Sequence, residues 1–219
     1  MKLVSVNVGL PKRIDINGQS VNTGIYKTSV TTPVLANKLG LDGDGQADLT
    51  VHGGEHQALY SYPVEHYPYW AKMLGRKSFD YGMFGENLTV VGLLEDEVYI
   101  GDILQIGEVG IGPTVQITMP RIPCFKFGHK IGQPNILDTF LRSGRSGFYQ
   151  RVLTAGKVQA GDAVTITQRD PQQVTVRVAL GLQKLQEGDA DLLQRALQIE
   201  SLSPLLRSVY QQRLSVSGL

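Results

Sequence analysis

Residues 98–107 have the sequence VYIGDILQIG, in which a Gly-Asp turn stands directly before a short strand-like run. Residues 155–164, AGKVQAGDAV, repeat the same design. Glycine and aspartate are favoured at turns for conformational reasons, so we assign these two turns a structural role and no chemistry. Short strands bounded by such turns are typical of a barrel or a sandwich.

The same pattern of short strand-like runs separated by turn residues extends in both directions from this stretch. Short β-branched or alternating runs recur between glycine, proline and aspartate residues, most of the way from the amino terminus to residue 168. The predicted strands are Lys2–Val8, Gly24–Thr28, Ala58–Tyr62, Asn87–Val90, Ile103–Ile106, Thr114–Thr118 and Ala163–Gln168. Helical interruptions are predicted at Val64–Leu74, Asn135–Ser143 and Phe148–Thr154. Residues 1–168 are therefore predicted to form a β-rich domain.

The pattern changes after residue 168, and residues 169–219 are predicted to form a three-helix segment. Leucines recur at helical spacing, and the expected helices are 176–186, 190–199 and 204–214. Asp189 and Ser203 are suitable caps, with Pro204 at the favoured first position. Leu192, Leu193, Leu197, Leu205 and Leu206 are expected to bury one face. About 45 residues of helix are marginal alone, so we expect the segment to pack on the β domain.

Composition excludes several classes of protein. The 219 residues include 21 Lys and Arg against 20 Asp and Glu, which gives no basic footprint for a nucleic-acid polymer. The amino terminus lacks a secretory signal, and no apolar run approaches the roughly 18 residues of a membrane span. One cysteine excludes an intrachain disulfide framework and a four-cysteine iron–sulfur cluster. We expect a cytoplasmic protein without membrane attachment.

Cys124 is the only cysteine, and it follows a stiff approach, Met119-Pro120-Arg121-Ile122-Pro123. Arg121 and Lys126 flank the sulfur. A nearby cation favours the thiolate, which is both a nucleophile and a soft metal ligand. Free cysteine is also among the most buried residue types. The residues alone leave both interpretations open: a reactive sulfur or a small core side chain.

Residues 39–58, LGLDGDGQADLTVHGGEHQA, are the stretch richest in glycine and histidine. The first half superficially resembles a calcium loop, but the glutamate at the twelfth position is missing. His52 and His56 are separated by Gly53-Gly54, which disfavours the helix needed for a zinc-binding pair. Two interpretations stay open: the histidines bond the loop backbone, or Gly53, Gly54 and His52 face a polar ligand. Glu86 and Asn87 are similarly either polar contacts at a strand end or part of a turn network.

Together these pieces resemble the MOSC domain, which is named for the carboxy-terminal domain of molybdenum cofactor sulfurases. The matching elements occur in order as Leu41-Asp42-Gly43-Asp44, Val51-His52-Gly53-Gly54, Phe84-Gly85-Glu86-Asn87-Leu88, Tyr99-Ile100-Gly101-Asp102, Pro120-Arg121-Ile122-Pro123-Cys124 and Gly147-Phe148-Tyr149. The helical tail resembles the three-helix extension of a stand-alone bacterial branch linked to resistance against 6-hydroxylaminopurine. The resemblance implies an α+β protein, mainly β, with a MOSC-type β-barrel.

The resemblance also implies a site. The family keeps a functional cysteine at the position of Cys124, and in relatives that reduce N-hydroxylated compounds it binds the molybdenum of a pterin cofactor. Molybdopterin carries a phosphate, which needs cations and N–H donors. The expected catalytic residues are Cys124 and His52. The expected cofactor-binding residues are Arg121, Lys126, Arg145, Gly53, Gly54, Glu86 and Asn87. Tyr149 is a lesser candidate.

The function implied is reduction of N-hydroxylated bases and related compounds by a molybdenum cofactor. The sequence contains no dinucleotide-binding fingerprint, so we expect electrons from a separate, flavin-containing reductase. Two alternatives remain: a sulfur carrier that uses a Cys124 persulfide, and a non-catalytic molybdopterin carrier. The oligomeric state is not predicted.

Overall fold

A computed structural model describes residues 1–47, 53–185 and 188–216. Its largest element is an eight-stranded mixed sheet with the order β13-β9-β10-β11-β7-β8-β1-β4. The strands of this sheet are β1 (Lys2–Val8), β4 (Thr28–Val30), β7 (Leu59–Pro63), β8 (Leu88–Val91), β9 (Ile103–Ile106), β10 (Thr114–Pro120), β11 (Phe148–Thr154) and β13 (Val164–Gln168). β7 and β8 are parallel, and the other neighbours are antiparallel. The fold is α+β, as predicted.

The sheet is not closed into a barrel, which corrects one part of the expected fold. In the described part of the chain no ladder joins its edge strands, β13 and β4. An isolated bridge between Lys2 and Ala163 and backbone hydrogen bonds such as Leu3 N–H to the Asp162 carbonyl bring the start of β13 beside β1, without forming a ladder between the two strands. β4 has three residues, two of them exposed, and offers little length for further pairing. The sheet therefore curves towards closure and stays open at β4.

Two small sheets flank the large one. β2 (Lys12–Ile16) and β3 (Gln19–Thr23) form a hairpin, and β5 (Val34–Asn37) pairs with β6 (Gly40–Leu41) and β12 (Gly156–Val158). The predicted strand Gly24–Thr28 was wrong, because residues 24–27 form no strand and β4 begins at Thr28. The Gly-Asp turn before β9 is present, and the Asp102 carboxylate accepts a 2.9 Å hydrogen bond from the Tyr99 N–H. This turn starts the strand, as its sequence predicts.

Six α-helices occur in the described residues: α1 (Tyr67–Met73), α2 (Phe125–Ile131), α3 (Ile136–Ser143), α4 (Val176–Leu180), α5 (Ala190–Leu197) and α6 (Pro204–Val216). A 3₁₀ turn, Val64–His66, leads into α1, and a π-helical turn, Gly181–Leu185, follows α4. The helix predicted at Phe148–Thr154 was wrong, since this segment is the central strand β11. Its side chains alternate, and buried Gln150 accepts a 2.7 Å bond from Ser61. None of the described helices is long and apolar enough to cross a membrane.

The carboxy-terminal helices share one apolar core with the large sheet. Leu193, Leu206 and Tyr210 are buried in the same cluster as Leu3 and Ile117 of the strands. The predicted caps are present: Asp189 accepts from the Leu192 N–H, and Ser203 from the Leu206 N–H. Leu205, which we expected to be buried, is half exposed. The helices are therefore held by the sheet as well as by one another.

A second core, which is largely aromatic, supports the side of the sheet next to α2. Trp70 donates a 2.7 Å hydrogen bond to the Tyr62 hydroxyl, and the Trp70 ring stacks on Phe140 at 5.4 Å. Phe127 of α2 meets Phe140 edge to face at 4.7 Å. This rigid aromatic layer fixes α2 and the residues immediately before it.

Candidate functional site

A cavity of about 120 Å³ lies where the hairpin, the loop after β6 and the start of α2 meet. Its walls are drawn from parts of the segments 23–27, 44–47 and 121–126, and from Gly53, Gln57, Tyr60, Gly85, Asn87 and Tyr149. The cavity is partly open to solvent. Small-molecule sites usually hold about 300–1,000 Å³, so a ligand of that size extends beyond the enclosed part.

Cys124 lines the cavity at the residue that precedes α2. Its backbone is extended, and its carbonyl accepts a 2.9 Å hydrogen bond from the Phe127 N–H. The side chain is half-buried. Pro123 and Phe127, on either side of Cys124, are both buried and fix its position. Because Cys124 itself is only half-buried and lines a cavity, it is not a core side chain. The structure places the sulfur in the wall of a solvent-accessible cavity.

Arg121 is buried in the same wall. Its guanidinium lies 4.5 Å from the Phe127 ring centre and 5.4 Å from the ring centres of Tyr60 and Phe140. Its Nη1 atom is buried with no hydrogen-bond partner among the described residues. A buried N–H group without a partner costs free energy unless a ligand or water satisfies it. Arg121 is thus a cation prepared for an acceptor in the cavity.

Tyr149 lies beside both Arg121 and Cys124. Burial raises the pKa of its phenol; the hydrogen-bonded Arg121 guanidinium opposes this change, and Cys124 adds to it. The hydroxyl is therefore protonated at neutral pH and can donate a hydrogen bond. The Tyr149 ring also lies 5.2 Å from that of Tyr60, which fixes its orientation. Tyr149, a lesser candidate from the sequence, therefore lines the cavity beside Arg121 and Cys124.

Lys126 contributes a second cation to the cavity wall. Its ammonium donates a 3.0 Å hydrogen bond to the Asn22 carbonyl of the hairpin. This bond ties strand β3 to helix α2 across the cavity. Lys126 therefore has both a charge for a ligand and a structural role in holding the hairpin.

Lys27 and Asp44 form a buried ion pair at the opposite wall. Neither was named as a site residue from the sequence, although Asp44 stands in the quoted element Leu41-Asp42-Gly43-Asp44. The exposed fractions of their side chains are 8% and 7%. Asp44 also accepts 2.9 Å and 2.8 Å hydrogen bonds, from the Gly9 N–H and the Asn87 side chain respectively. Burial lowers the pKa of Lys27, and the adjacent Asp44 carboxylate opposes that change. No local motif signals this pair, because its members are joined only by the fold.

Two glycines allow the walls to approach closely. A Cβ at Gly24 would lie 2.4 Å from the Gly45 carbonyl oxygen, and both residues line the cavity. Such a contact is far inside van der Waals range, so Gly24 cannot carry a side chain without movement of the loop. The absence of side chains at Gly24 and Gly45 therefore lets the loop after β6 pack closely against the opposite wall of the cavity.

The structure brings together only part of the expected site. Cys124, Arg121, Lys126, Gly53 and Asn87 line the cavity. Glu86, Arg145 and Gly54 are not in its described lining. Glu86 is fully buried, and its carboxylate accepts hydrogen bonds from Tyr67, Gly82, Phe84 and Thr89. It therefore forms the turn network that was the alternative interpretation.

Arg145 is occupied elsewhere: its guanidinium lies 3.9 Å from the Tyr69 ring centre. Gly54 has a positive φ of 79° and stands before a 3₁₀ turn, so its role there is conformational. His52 lies outside the described residues, and its neighbour Gly53 lines the cavity. His52 stays a prediction.

His56, the second histidine of the zinc hypothesis, and His66 are not in the described lining of the cavity. His66 is buried and paired with Glu95 at 2.7 Å, and burial lowers the pKa of His56. Among the described residues, no group of three or more His, Cys, Asp or Glu side chains is placed to hold a metal ion.

One cavity of this α+β fold is thus lined by Cys124, Arg121, Lys126 and Tyr149. Residues 48–165, more than half of the chain, match the family described as MOSC domain. The chain belongs to the MOSC domain family. Membership associates it with molybdenum-cofactor chemistry, and the expected family resemblance is confirmed.

Three relatives show how far the similarity extends. YflK of Bacillus subtilis (strain 168), described as uncharacterized, is 34% identical over 96% of this chain and 93% of its own length. The crystal structure of YiiM from Geobacillus stearothermophilus matches with a TM-score of 0.80, at 33% identity, over 97% of this chain and 98% of that one. A protein of Gibberella moniliformis (strain M3125 / FGSC 7600) named "Reductase" is 32% identical over 76% of this chain. The matched region is 29% of the length of that protein.

Proposed function

We propose that this protein binds molybdopterin and reduces N-hydroxylated bases and related compounds. The observation that carries the proposal is the buried Arg121 Nη1 atom without a partner, in the same cavity wall as Cys124. A cofactor that supplies a metal for the thiolate and a phosphate for the guanidinium satisfies both groups. The residues present therefore fit the expected cofactor.

Several residues would hold the cofactor. Cys124 would supply the thiolate ligand, and Arg121 and Lys126 would balance the negative charge of the phosphate. The N–H groups around Gly53 are further donors for the same anion. When bound, the cofactor supplies the two-electron chemistry that cleaves the N–O bond, with overall conversion of R–NHOH, two electrons and two protons into R–NH₂ and water.

The chain's own residues would manage protons and orientation. The Tyr149 phenol keeps its proton at neutral pH because burial raises its pKa, so it is suited to donate a hydrogen bond to a substrate oxygen. Asn87 is held by Asp44 and Tyr60, which fixes its amide at the wall. His52 would be a further proton donor.

The electrons would come from a separate reductase, and a flavin-containing protein is the simplest class of donor. The fungal relative supports this part of the proposal. It is named "Reductase", and most of its length lies outside the region that this chain covers. A chain of that design has room for further domains beside its MOSC-like region.

Elemental analysis tests the proposal. The protein is purified from a host that makes molybdopterin, and molybdenum is measured in the wild type, in Cys124→Ala and in Ser208→Ala, a control on the exposed side of α6. We expect near-stoichiometric molybdenum in the wild type and the control, and none in Cys124→Ala. A persulfide mass adduct without molybdenum would assign the protein to sulfur transfer instead. Molybdenum without reduction of 6-hydroxylaminopurine by the reconstituted system would leave a cofactor carrier.

A further inference from the structure

A second cavity, of about 520 Å³, shares Lys27 with the first. One wall is the edge strand β4, with Thr28 and Ser29, and the other is the segment 79–83. Lys130 of α2 also lines it. This volume falls in the range of small-molecule sites. The cavity is distinct from the proposed cofactor site, although Lys27 lines both.

Lys130 places an ammonium group at this cavity, and not all of its N–H donors have acceptors among the described residues. Its ammonium donates hydrogen bonds of 2.8 Å to the Ile25 carbonyl and 2.6 Å to the Gly82 carbonyl. An ammonium has three N–H donors, so one remains with no acceptor among the described residues. The side chain is partly buried, and it lines the cavity.

The charges around Lys130 favour a ligand with one negative charge. Lys27 is already paired with Asp44, and the buried Glu86 carboxylate is occupied by four donors. Asp80 also lines the cavity but is exposed, so its charge is screened by solvent. Within the described residues, Lys130 has no carboxylate within ion-pair distance. One carboxylate of a ligand would accept the remaining N–H of Lys130 and balance its charge.

The rest of the wall is suited to an organic group. Phe79, Tyr81 and Met83 line the cavity and leave part of their apolar surface accessible. Aromatic and thioether side chains pack well against flat rings. Burial and the cations Lys27, Arg121 and Lys12 lower the pKa of Lys130 to about 7, and Glu86 opposes this shift. An incoming anion would relieve that unfavourable environment.

We propose that the cavity between β4 and the segment 79–83 binds a small monocarboxylate with an apolar or aromatic group, and that Lys130 is its counter-ion. The carboxylate accepts the third N–H of Lys130, and the organic part packs on Phe79, Tyr81 and Met83. The inference does not depend on the proposed function, because the ligand needs no cofactor and its proposed contacts, Lys130, Phe79, Tyr81 and Met83, are outside the described lining of the Cys124 cavity.

Benzoate is the test ligand, and amide NMR of the full chain is the measurement. We expect saturable shifts at Thr28, Ser29, Tyr81 and Met83 as benzoate is added. Benzamide, which has the same shape without the charge, should bind at least about tenfold more weakly because it cannot form a charge-assisted bond with Lys130. Equal affinity for the two ligands, or shifts centred on Gly24, Gly45 and Cys124, would overturn the proposal.

Variants locate the counter-ion. Lys130→Met should abolish the saturable shifts, while Lys77→Met, an exposed lysine near the same segment, should leave them unchanged. Undiminished binding of benzoate by a folded Lys130→Met would refute the assignment of Lys130. The comparison of benzoate with benzamide uses the wild-type protein, so it decides the matter even where Lys130→Met does not fold.

Discussion

Asn87 donates a 2.8 Å hydrogen bond to Asp44, and this contact joins a residue predicted from sequence to one that the fold revealed. Asp44 in turn pairs with Lys27, so one carboxylate connects the loop after β6, the extended chain before β4 and the turn before β8. These three segments form one wall of the proposed cofactor cavity. The geometry of the wall therefore depends on a single buried charge pair.

Asp44→Asn should weaken the fold as well as the site. The substitution leaves the buried Lys27 ammonium without its counter-charge, and breaking a buried pair in this way costs roughly 3 kcal/mol. Urea denaturation at neutral pH measures the loss. Asp42→Asn is the matched control, since Asp42 is exposed, and it should change stability by less than about 0.5 kcal/mol. Equal stability of the two variants would show that the Lys27–Asp44 pair does not hold the wall.

Arg121→Lys should lower the molybdenum content without unfolding the protein. Lysine keeps the charge but lacks the planar group that packs on Phe127 and presents a fixed fork of donors. A loss of roughly tenfold or more in bound molybdenum is expected at limiting cofactor, as for other residues that support a metal ligand. Arg142→Lys, at an exposed arginine of α3, should retain the wild-type content. Full molybdenum in a folded Arg121→Lys would argue against this arginine as a cofactor contact.

The pH dependence of stability should report Lys130. Its pKa in the folded protein is about 7, below the ordinary value of 10.5. Between these values the unfolded chain binds the proton that the folded chain has lost, so the free energy of unfolding rises with pH from about 7 towards 10.5. Urea titrations at pH 6, 7, 8 and 9 measure the trend. Lys130→Met removes this titration, so the rise should be smaller in the variant; parallel curves would place the folded pKa near its ordinary value.

Leu206→Ala should destabilise the whole protein and not only the helical segment. Leu206 is fully buried in the core that the helices share with the sheet. Truncation of a buried leucine costs about 2–5 kcal/mol. Leu205→Ala, at the half-exposed neighbour, should cost much less. Circular dichroism and Trp70 fluorescence should report one shared transition, and a separate early loss of helix would show that the segment unfolds independently.

The predictability of the fold follows the range of the interactions involved. Strands such as Lys2–Val8 and Ile103–Ile106 carry their pattern and turn locally, and both were predicted with the observed bounds. Phe148–Thr154 was mistaken for a helix because its buried polar residue, Gln150, is satisfied by Ser61 on another strand. The predicted closure of the barrel was also wrong. Closure depends on pairing between the edge strands, which the local sequence pattern does not specify.

The candidate site divides in the same way. Cys124, Arg121 and Lys126 stand within six residues, and a stiff approach made them visible in the sequence. Lys27 and Asp44 are ordinary charged residues until the fold buries them together. Arg145 had a plausible sequence setting, but its charge rests on Tyr69 instead. Residues that only tertiary contacts bring together were therefore the ones that the sequence did not indicate.

The walls of the Cys124 cavity come from segments as distant as Thr23 and Tyr149. No shorter piece of the chain contains the site, so a partly folded intermediate offers a cofactor nothing to bind. The proposed cofactor would therefore load only after folding and, once bound, would stabilise the folded protein by mass action. In a cell starved of cofactor, the empty protein would be the form that proteases remove first, and its abundance would follow the cofactor supply.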